Sequence, residues 1–183
     1  MKSETRRINK EKRALLDKQE VEQKSKKACL HFTESLIYKN SKEIMVYMPL
    51  GNETDTTYIV NQARKDNKKL IYPVTDEKTG EITPVYSGEN TVFTEGAFGV
   101  KEPDERKVAD FKNIDVVIVP GIAFDRNGNR IGFGKGCYDK FLVKTDCIKI
   151  GFCYSFQLVD EIQSDIYDIK MDYITTEEGI IKI

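Results

Sequence analysis

The run Asp115-Val-Val-Ile-Val119-Pro-Gly121 opens a stretch that continues Ile122-Ala-Phe-Asp-Arg-Asn-Gly-Asn-Arg-Ile-Gly-Phe-Gly-Lys-Gly-Cys-Tyr-Asp139. Val116 to Val119 form an unbroken β-branched run rather than an alternating one, the pattern of a strand covered on both faces. Pro120 and Gly121 end it. A glycine-rich loop follows, and a helix is predicted from about Cys137 to Lys144. On open α/β sheets, ligands bind beyond the carboxyl ends of the strands, so this loop is where a site is expected.

Upstream, Glu43-Ile-Met-Val-Tyr-Met48 reads as a strand stopped by Pro49. Asp55 is placed to cap a helix running to about Asn67, with Ile59, Val60 and Ala63 facing inward. Lys69-Leu-Ile-Tyr72 is a second strand, ended by Pro73. Short strands are expected over 81–86 and 91–93, around turns at Gly80 and Gly88. Downstream, Ile148 to Cys153 is a strand and 160–172 an acidic loop. Tyr173 to Thr175 and Ile180 to Ile183 complete the sheet. From Ser3 to Tyr38 the chain reads as helix with one break at most, and Leu15, Val21, Ser25, Cys29, Phe32 and Leu36 make a loose apolar stripe. Strands alternating with helices predict an α/β fold: a single layered domain over 1–183, with a largely parallel, Rossmann-like central sheet flanked by helices and 1–38 as an N-terminal helical arm.

Hydrophobic residues make up 39% of the 183, enough for a core of ordinary size. The 29 Lys and Arg nearly balance the 30 Asp and Glu, which argues against a general nucleic-acid binder. The charge is uneven along the chain. Residues 1–30 carry ten bases against five acids, and 160–183 carry seven acids against two bases. Such an arm either reaches an anionic ligand or is a solvated helix face. No apolar run approaches the ~20 residues of a membrane span, and the charged N-terminus has no secretory core. The four cysteines show no CxxC pair and no zinc spacing, so reduced thiols and a cytoplasmic location are expected. His31, the one histidine, lies in a helical pattern without a GxSxG context, and is read as structural.

Gly132, Gly134 and Gly136 alternate around Phe133 and Lys135. Glycines let a ligand approach the backbone amides, and amides beside a helix start cradle phosphate oxygens. The loop is neither a Walker A motif, since Asn129 and Gly136 stand where that pattern needs Gly and Ser or Thr, nor a dinucleotide fingerprint. Spacing alone leaves a plain turn open as the alternative. For Asp139 and Asp168 the alternatives are a helix-start residue and a surface carboxylate, and for Glu53 a solvated turn residue.

The longer string P-G-x-A-F-D-x-x-G-x-R-I-G-x-G-K-G-x-Y-D resembles the signature of the 5-formyltetrahydrofolate cyclo-ligase family, and the resemblance extends over nearly the whole chain. It implies that Lys2 and Arg6 in the arm contact ATP, as do Arg130, Ile131, Gly132, Phe133, Gly134, Lys135, Gly136, Cys137 and Tyr138. It implies folate contacts from Met48, Glu53 and Phe133 to Cys137, and Mg²⁺ ligation by Asp139 and Asp168. Gly96-Ala-Phe-Gly-Val-Lys-Glu-Pro103 is similar to a mid-chain family element, and Asp168-Ile-Lys-Met-Asp172 to its C-terminal Asp-x-x-x-Asp string. Where the family usually has Tyr-Tyr-Asp, this chain has Cys137-Tyr138-Asp139. The activity so implied is closure of 5-formyltetrahydrofolate to 5,10-methenyltetrahydrofolate, with ATP as co-substrate and Mg²⁺ as cofactor. Lys135 and Arg130 are the catalytic candidates, and a monomer without nucleic-acid or membrane partners is expected. Phosphorylating the formyl oxygen makes it a leaving group and the N10 amine closes the ring, so the protein has chiefly to position reactants and neutralise charge. Two other readings stay open: a sugar-phosphate or coenzyme A-linked enzyme of similar architecture, and a non-catalytic nucleotide-binding module. Both predict no need for Asp139 and Asp168 to meet near the glycine loop.

Overall fold

The computed structural model describes residues 2–105 and 107–183. Three helices come first: α1 (Lys2–Ala14), α2 (Lys18–Glu34) and α3 (Leu36–Asn40). Then come β1 (Glu43–Met45), α4 (Thr57–Lys65), β2 (Lys69–Thr75), β3 (Ile82–Ser87), β4 (Phe93–Glu95) and β5 (Lys101–Pro103). The second half holds β6 (Val116–Pro120), β7 (Ala123–Asp125), β8 (Arg130–Ile131), α5 (Cys137–Leu142), β9 (Ile148–Phe152), β10 (Leu158–Val159), β11 (Tyr173–Thr176) and β12 (Gly179–Lys182). Among the described residues a seven-stranded sheet runs β12-β11-β9-β6-β1-β2-β3. Its five inner strands pair in parallel, and β3 and β12 are antiparallel edges. This is the largely parallel layered α/β sheet that the strand pattern predicts.

The β6 run explains the layering. Val116 and Ile118 point to a core made with Phe32 and Cys29 of α2 and Ile59 and Ala63 of α4. Val117 and Val119 point to the opposite face, against Phe124, Ile174 and Phe141 and Leu142 of α5. A strand with a core on each side has no polar face, hence the continuous apolar run. The chain winds from β1 to β2 on one side and resumes at β6 on the other, so β1 and β6 flank the switch point where a crevice opens beyond their carboxyl ends.

Several boundaries differ from the sequence expectation. The N-terminal helix breaks twice. Asp17 starts α2 with a reciprocal capping box to Glu20, and Ser35 starts α3 by accepting from the Tyr38 amide. Leu15 and Leu36, which fall at those breaks, are 83% and 73% exposed and drop out of the apolar stripe. Strand β1 stops at Met45 rather than Met48, because Tyr47 turns away: its hydroxyl donates to Thr54 O at 2.6 Å and its carbonyl accepts from Thr56 Oγ1 at 2.9 Å. Thr56, not Asp55, precedes α4, although Asp55 Oδ1 still accepts from the Thr57 amide at 2.7 Å. Strand β2 continues through Pro73, which faces Pro84 of β3. The Ala109 amide donates to Pro84 O and the Tyr86 amide to Lys107 O, so β3 turns its polar groups outward here and neither proline owes β2 or β3 a ladder bond. Inside the predicted loop, β7 and β8 form a hairpin tied by Asp125, which is fully buried and accepts from the Asn127, Asn129 and Ile162 amides.

Candidate functional site

A cavity of about 650 Å³ lies at the switch point. Lys2, Arg6, Met48, Glu53, all of 130–139 and Asp168 line it, so every residue expected to contact ATP, folate or metal borders the same cavity. Asp139 and Asp168, 29 positions apart in the chain, both line the cavity with the glycine loop between β8 and α5.

The loop is shaped by its glycines. Gly134 and Gly136 adopt φ of +99° and +66°, which side-chain-bearing residues rarely do. A Cβ on Gly132 would sit 2.7 Å from Arg130 Nη1, so that position is bare to let the guanidinium through. Arg130 donates to Asp139 Oδ2 at 2.9 Å and to Pro120 O at 3.2 Å, with only 7% of its side chain exposed. Its Nε is buried with no hydrogen-bond partner among the described residues. Asp139 Oδ1 accepts from the Ile169 amide at 3.2 Å, which ties the start of α5 to the acidic loop. Lys135 forms no ion pair among the described residues, and its ammonium lies 4.6 Å from the centre of the Phe98 ring. A cation without an ion-pair partner in a glycine-rich loop is suited to an anion carrying several charges.

The arm closes the cavity. Lys2, Arg6 and Lys10 follow at helical spacing on one face of α1, and all three line the wall. Lys2 Nζ donates to Asp168 Oδ2 at 2.8 Å, and Arg6 Nε donates to Gly132 O at 3.0 Å. Burial pushes the Asp168 carboxyl up, but the Lys2 ammonium, the Asp165 amide and Arg130 outweigh it and hold the group below its ordinary value. One face of the basic arm, through Lys2 and Arg6, therefore docks on the acidic loop and the glycine loop, while Arg7, Lys12 and Lys18 stay exposed.

The other end of the cavity is more apolar. Met48, Tyr47 and Tyr138 meet there with Glu53, which is 5% exposed. Glu53 Oε2 accepts from the Leu50 amide at 2.9 Å, and Oε1 from Arg13 Nη1 at 3.5 Å. Burial raises the Glu53 carboxyl, and these two donors oppose the rise. Burial also pushes the Tyr138 hydroxyl well up, with Glu53 adding to it, so Tyr138 is a neutral wall. The β4–β5 hairpin forms the roof. It carries Phe98, whose φ is +58°, and Glu102, whose Oε1 accepts from the Thr75 amide at 2.8 Å.

Lys10, Phe98, Glu102 and Thr75 line the cavity without having been singled out. For Lys10 the signal is present, four residues after Arg6 on the same helical face. Phe98 and Glu102 stand inside the quoted 96–103 element, but nothing local aims them at the loop. Thr75 carries no sequence signal. His31 Nε2 lies 3.3 Å from Glu177 O, away from the cavity, in the structural role expected of it.

Comparison with known proteins agrees on one family. The model of the 5-formyltetrahydrofolate cyclo-ligase family matches residues 1–177. The 5-formyltetrahydrofolate cyclo-ligase of Escherichia coli strain K12 is 26% identical over 94% of this chain and 98% of its own. A probable 5-formyltetrahydrofolate cyclo-ligase of Schizosaccharomyces pombe is 28% identical over 88% of each chain. The solved structure of the Aquifex aeolicus 5,10-methenyltetrahydrofolate synthetase superposes with a TM-score of 0.87 at 34% identity, covering 99% of this chain and 92% of that one.

Proposed function

This chain belongs to the 5-formyltetrahydrofolate cyclo-ligase family, and on that footing we propose how its cavity performs the ATP-dependent closure of 5-formyltetrahydrofolate to 5,10-methenyltetrahydrofolate. The observation that carries the reading is the convergence of the glycine loop, the basic arm, Glu53 and two aspartates on one cavity. A sugar-phosphate enzyme or a bare nucleotide-binding module would not require that convergence.

In this reading the triphosphate lies along 130–138, with the Gly132, Gly134 and Gly136 backbone, Lys2 and Arg6 around it. Lys135 neutralises the phosphoryl group as it moves to the formyl oxygen, and Arg130 adds fixed positive charge behind Asp139. Support comes from the unpaired state of Lys135 and from the contact of Arg6 with Gly132 O. The folate lies between Glu53, Met48 and 133–137, where the wall is apolar and Glu53 is a buried acceptor. The formyl oxygen leaves as phosphate and the N10 amine closes the ring. No side chain has to become a covalent nucleophile.

The donor set also fits Mg²⁺. Among the described residues no group of three or more His, Cys, Asp or Glu side chains could hold a metal alone. Mg²⁺ usually takes one or two carboxylates and fills the rest of its shell with water and substrate phosphates. Asp139 and Asp168 would hold it, and the ion would supply charge neutralisation at the phosphates when bound. We further read residues 1–183 as one domain with 1–38 as its arm, and a monomer as sufficient, since one chain lines the whole cavity. The four cysteines are free thiols, three of them buried, which suits the cytoplasm.

The test mixes the protein with 5-formyltetrahydrofolate and Mg²⁺-ATP, following methenyl-folate absorbance and ADP together. Equal amounts of both are expected, and neither without ATP. Methenyl-folate formed without nucleotide would reject the mechanism.

A further inference from the structure

Glu53 sits in a nearly closed environment. Its side chain is 6% exposed and the Arg13 side chain beside it 12%. Arg13 lies on the last turn of α1, outside the cavity wall, and reaches Glu53 Oε1 at 3.5 Å from behind. Two further contacts hold Arg13 there. Its guanidinium lies 5.8 Å from the centre of the Phe133 ring in the glycine loop. Its carbonyl accepts from Asn52 Nδ2 at 3.1 Å, and the same amide donates to Leu16 O at 2.9 Å, which fastens the end of α1 to the turn that carries Glu53. Lys10, one turn earlier on α1, lines the same cavity with its ammonium 5.4 Å from the centre of the Phe133 ring, but among the described residues the ion-pair partner of Glu53 is Arg13. Tyr47, from the segment after β1, and Tyr138, from α5, are both kept neutral by burial, and the Tyr154 hydroxyl donates to the Glu53 carbonyl rather than to its carboxylate.

We propose that Arg13 is a positioning residue for the reaction, which holds Glu53 ionised and in place as the buried acceptor facing the folate. The inference rests on the cyclo-ligase reading given above. It adds that the arm serves the folate half of the cavity as well as the phosphate half. A buried carboxylate without a partner takes up a proton rather than stay charged. Burial already raises the Glu53 carboxyl, and Arg13 is one of the few groups that oppose the rise. Phe133 lies against Arg13 on the loop side, and the burial of the pair makes the attraction stronger than at an open surface.

The experiment compares wild type, Arg13→Gln, Arg13→Lys, Glu53→Gln and the Arg13→Gln/Glu53→Gln double variant in the coupled methenyl-folate and ADP assay. Arg13→Gln should raise the folate KM roughly tenfold or more, the effect of weakening a charged hydrogen-bond acceptor, with the ATP KM and kcat changed far less. The acidic limb of kcat/KM for folate should move to higher pH, because Glu53 then holds its proton longer. Arg13→Lys should move the limb back toward wild type. On a Glu53→Gln background, Arg13→Gln should add little. An Arg13→Gln variant with an unmoved acidic limb, or with its full loss added to that of Glu53→Gln, overturns the proposal. A merely structural Arg13 would raise both KM values together and leave the limb in place. Carbon-13 NMR of the Glu53 carboxyl in the wild-type protein decides independently of activity and of any variant's folding. Ionised Glu53 at pH 7 is expected, and a protonated one refutes the role of Arg13. A wild-type protein that makes no methenyl-folate while Glu53 titrates as expected would sink the catalytic reading and leave the Arg13–Glu53 pairing standing.

Discussion

Lys135 and Glu53 show how one side chain takes its meaning from its setting. Lys135 stands in a loop whose glycines keep the backbone open, and its ammonium has an aromatic face rather than a carboxylate for company. Its positive charge is therefore uncommitted. Lys135→Ala should lower kcat by about 10²–10³, the usual effect of losing one preorganised electrostatic contact. Apo unfolding should be unchanged, since no ion pair among the described residues is lost. Turnover assays beside a thermal melt check both halves. Glu53 is the reverse case, a carboxylate committed on both oxygens to Leu50 and Arg13. Glu53→Gln should weaken folate binding by ~1.5–3 kcal/mol and nucleotide binding by much less. Separate titrations with the folate and a non-hydrolysable nucleotide measure this, and equal losses would assign Glu53 to structure alone.

At the scale of elements, the arm matters most. It is three helices, and a cap sets the start of the second and of the third: Asp17 with Glu20 for α2, Ser35 for α3. Asp17→Ala removes the acceptor for the Glu20 amide and should destabilise the protein by about 0.5–2 kcal/mol. Because Asp17 also sets the direction in which the chain leaves α1, the ATP KM should rise as Lys2 and Arg6 lose their fixed placement. A denaturation curve and nucleotide kinetics on the same preparation check the pair of effects. A stability loss with unchanged ATP KM would mean that α1 docks independently of its junction. Asp17 and Ser35 are cap-forming residue types, but the apolar stripe allowed one break where the fold has two. Leu15 and Leu36 extend the apolar stripe in sequence and are solvent-exposed in the fold, because helical periodicity fails wherever the helix restarts.

Across the whole molecule, the fold brings opposite charge together. The basic arm and acidic C-terminal segment meet twice, at Lys2–Asp168 and at Lys24–Glu177, 2.8 Å and 2.6 Å long. Burial pushes the Glu177 carboxyl up, but Lys24 and the Ser155 amide and hydroxyl outweigh it and hold it below its ordinary value of 4.5. A carboxylate lowered on folding stabilises the native state above its unfolded value, and that stability is lost as pH falls through the folded value. Apo stability should therefore decline as pH drops below about 4.5, and Glu177→Gln should flatten that part of the profile. Melting curves from pH 7 to 3 test it. The fold also brings two like charges, Asp139 and Asp168, to the lining of one cavity. On the proposed metal role, Asp139→Asn and Asp168→Asn should each raise the Mg²⁺ concentration for half-maximal activity, and the double variant should lose less than the sum, as two groups on one ion would. Full additivity with unshifted Mg²⁺ dependence would remove them from the metal role.

The layers and the loop follow from local residue order. The β-branched run before Pro120 required a strand covered on both faces, and the glycines around Lys135 required an open backbone at its carboxyl end, both of them local consequences of side-chain shape and allowed φ. The residues the resemblance assigned to ATP, folate or metal, both aspartates included, all line one cavity, because motif spacing survives in a linear string. Tertiary structure alone decided which groups face one another. Arg13 pairs with a carboxylate 40 positions away, and Phe98 of a hairpin reaches Lys135. Neither contact has a local signature, since both depend on how α1 and the β4–β5 hairpin close over the switch point. The ion pair that holds Asp139 with Arg130 was likewise hidden. Its partners are near neighbours in sequence, but the turn of the glycine loop sets the angle at which they meet.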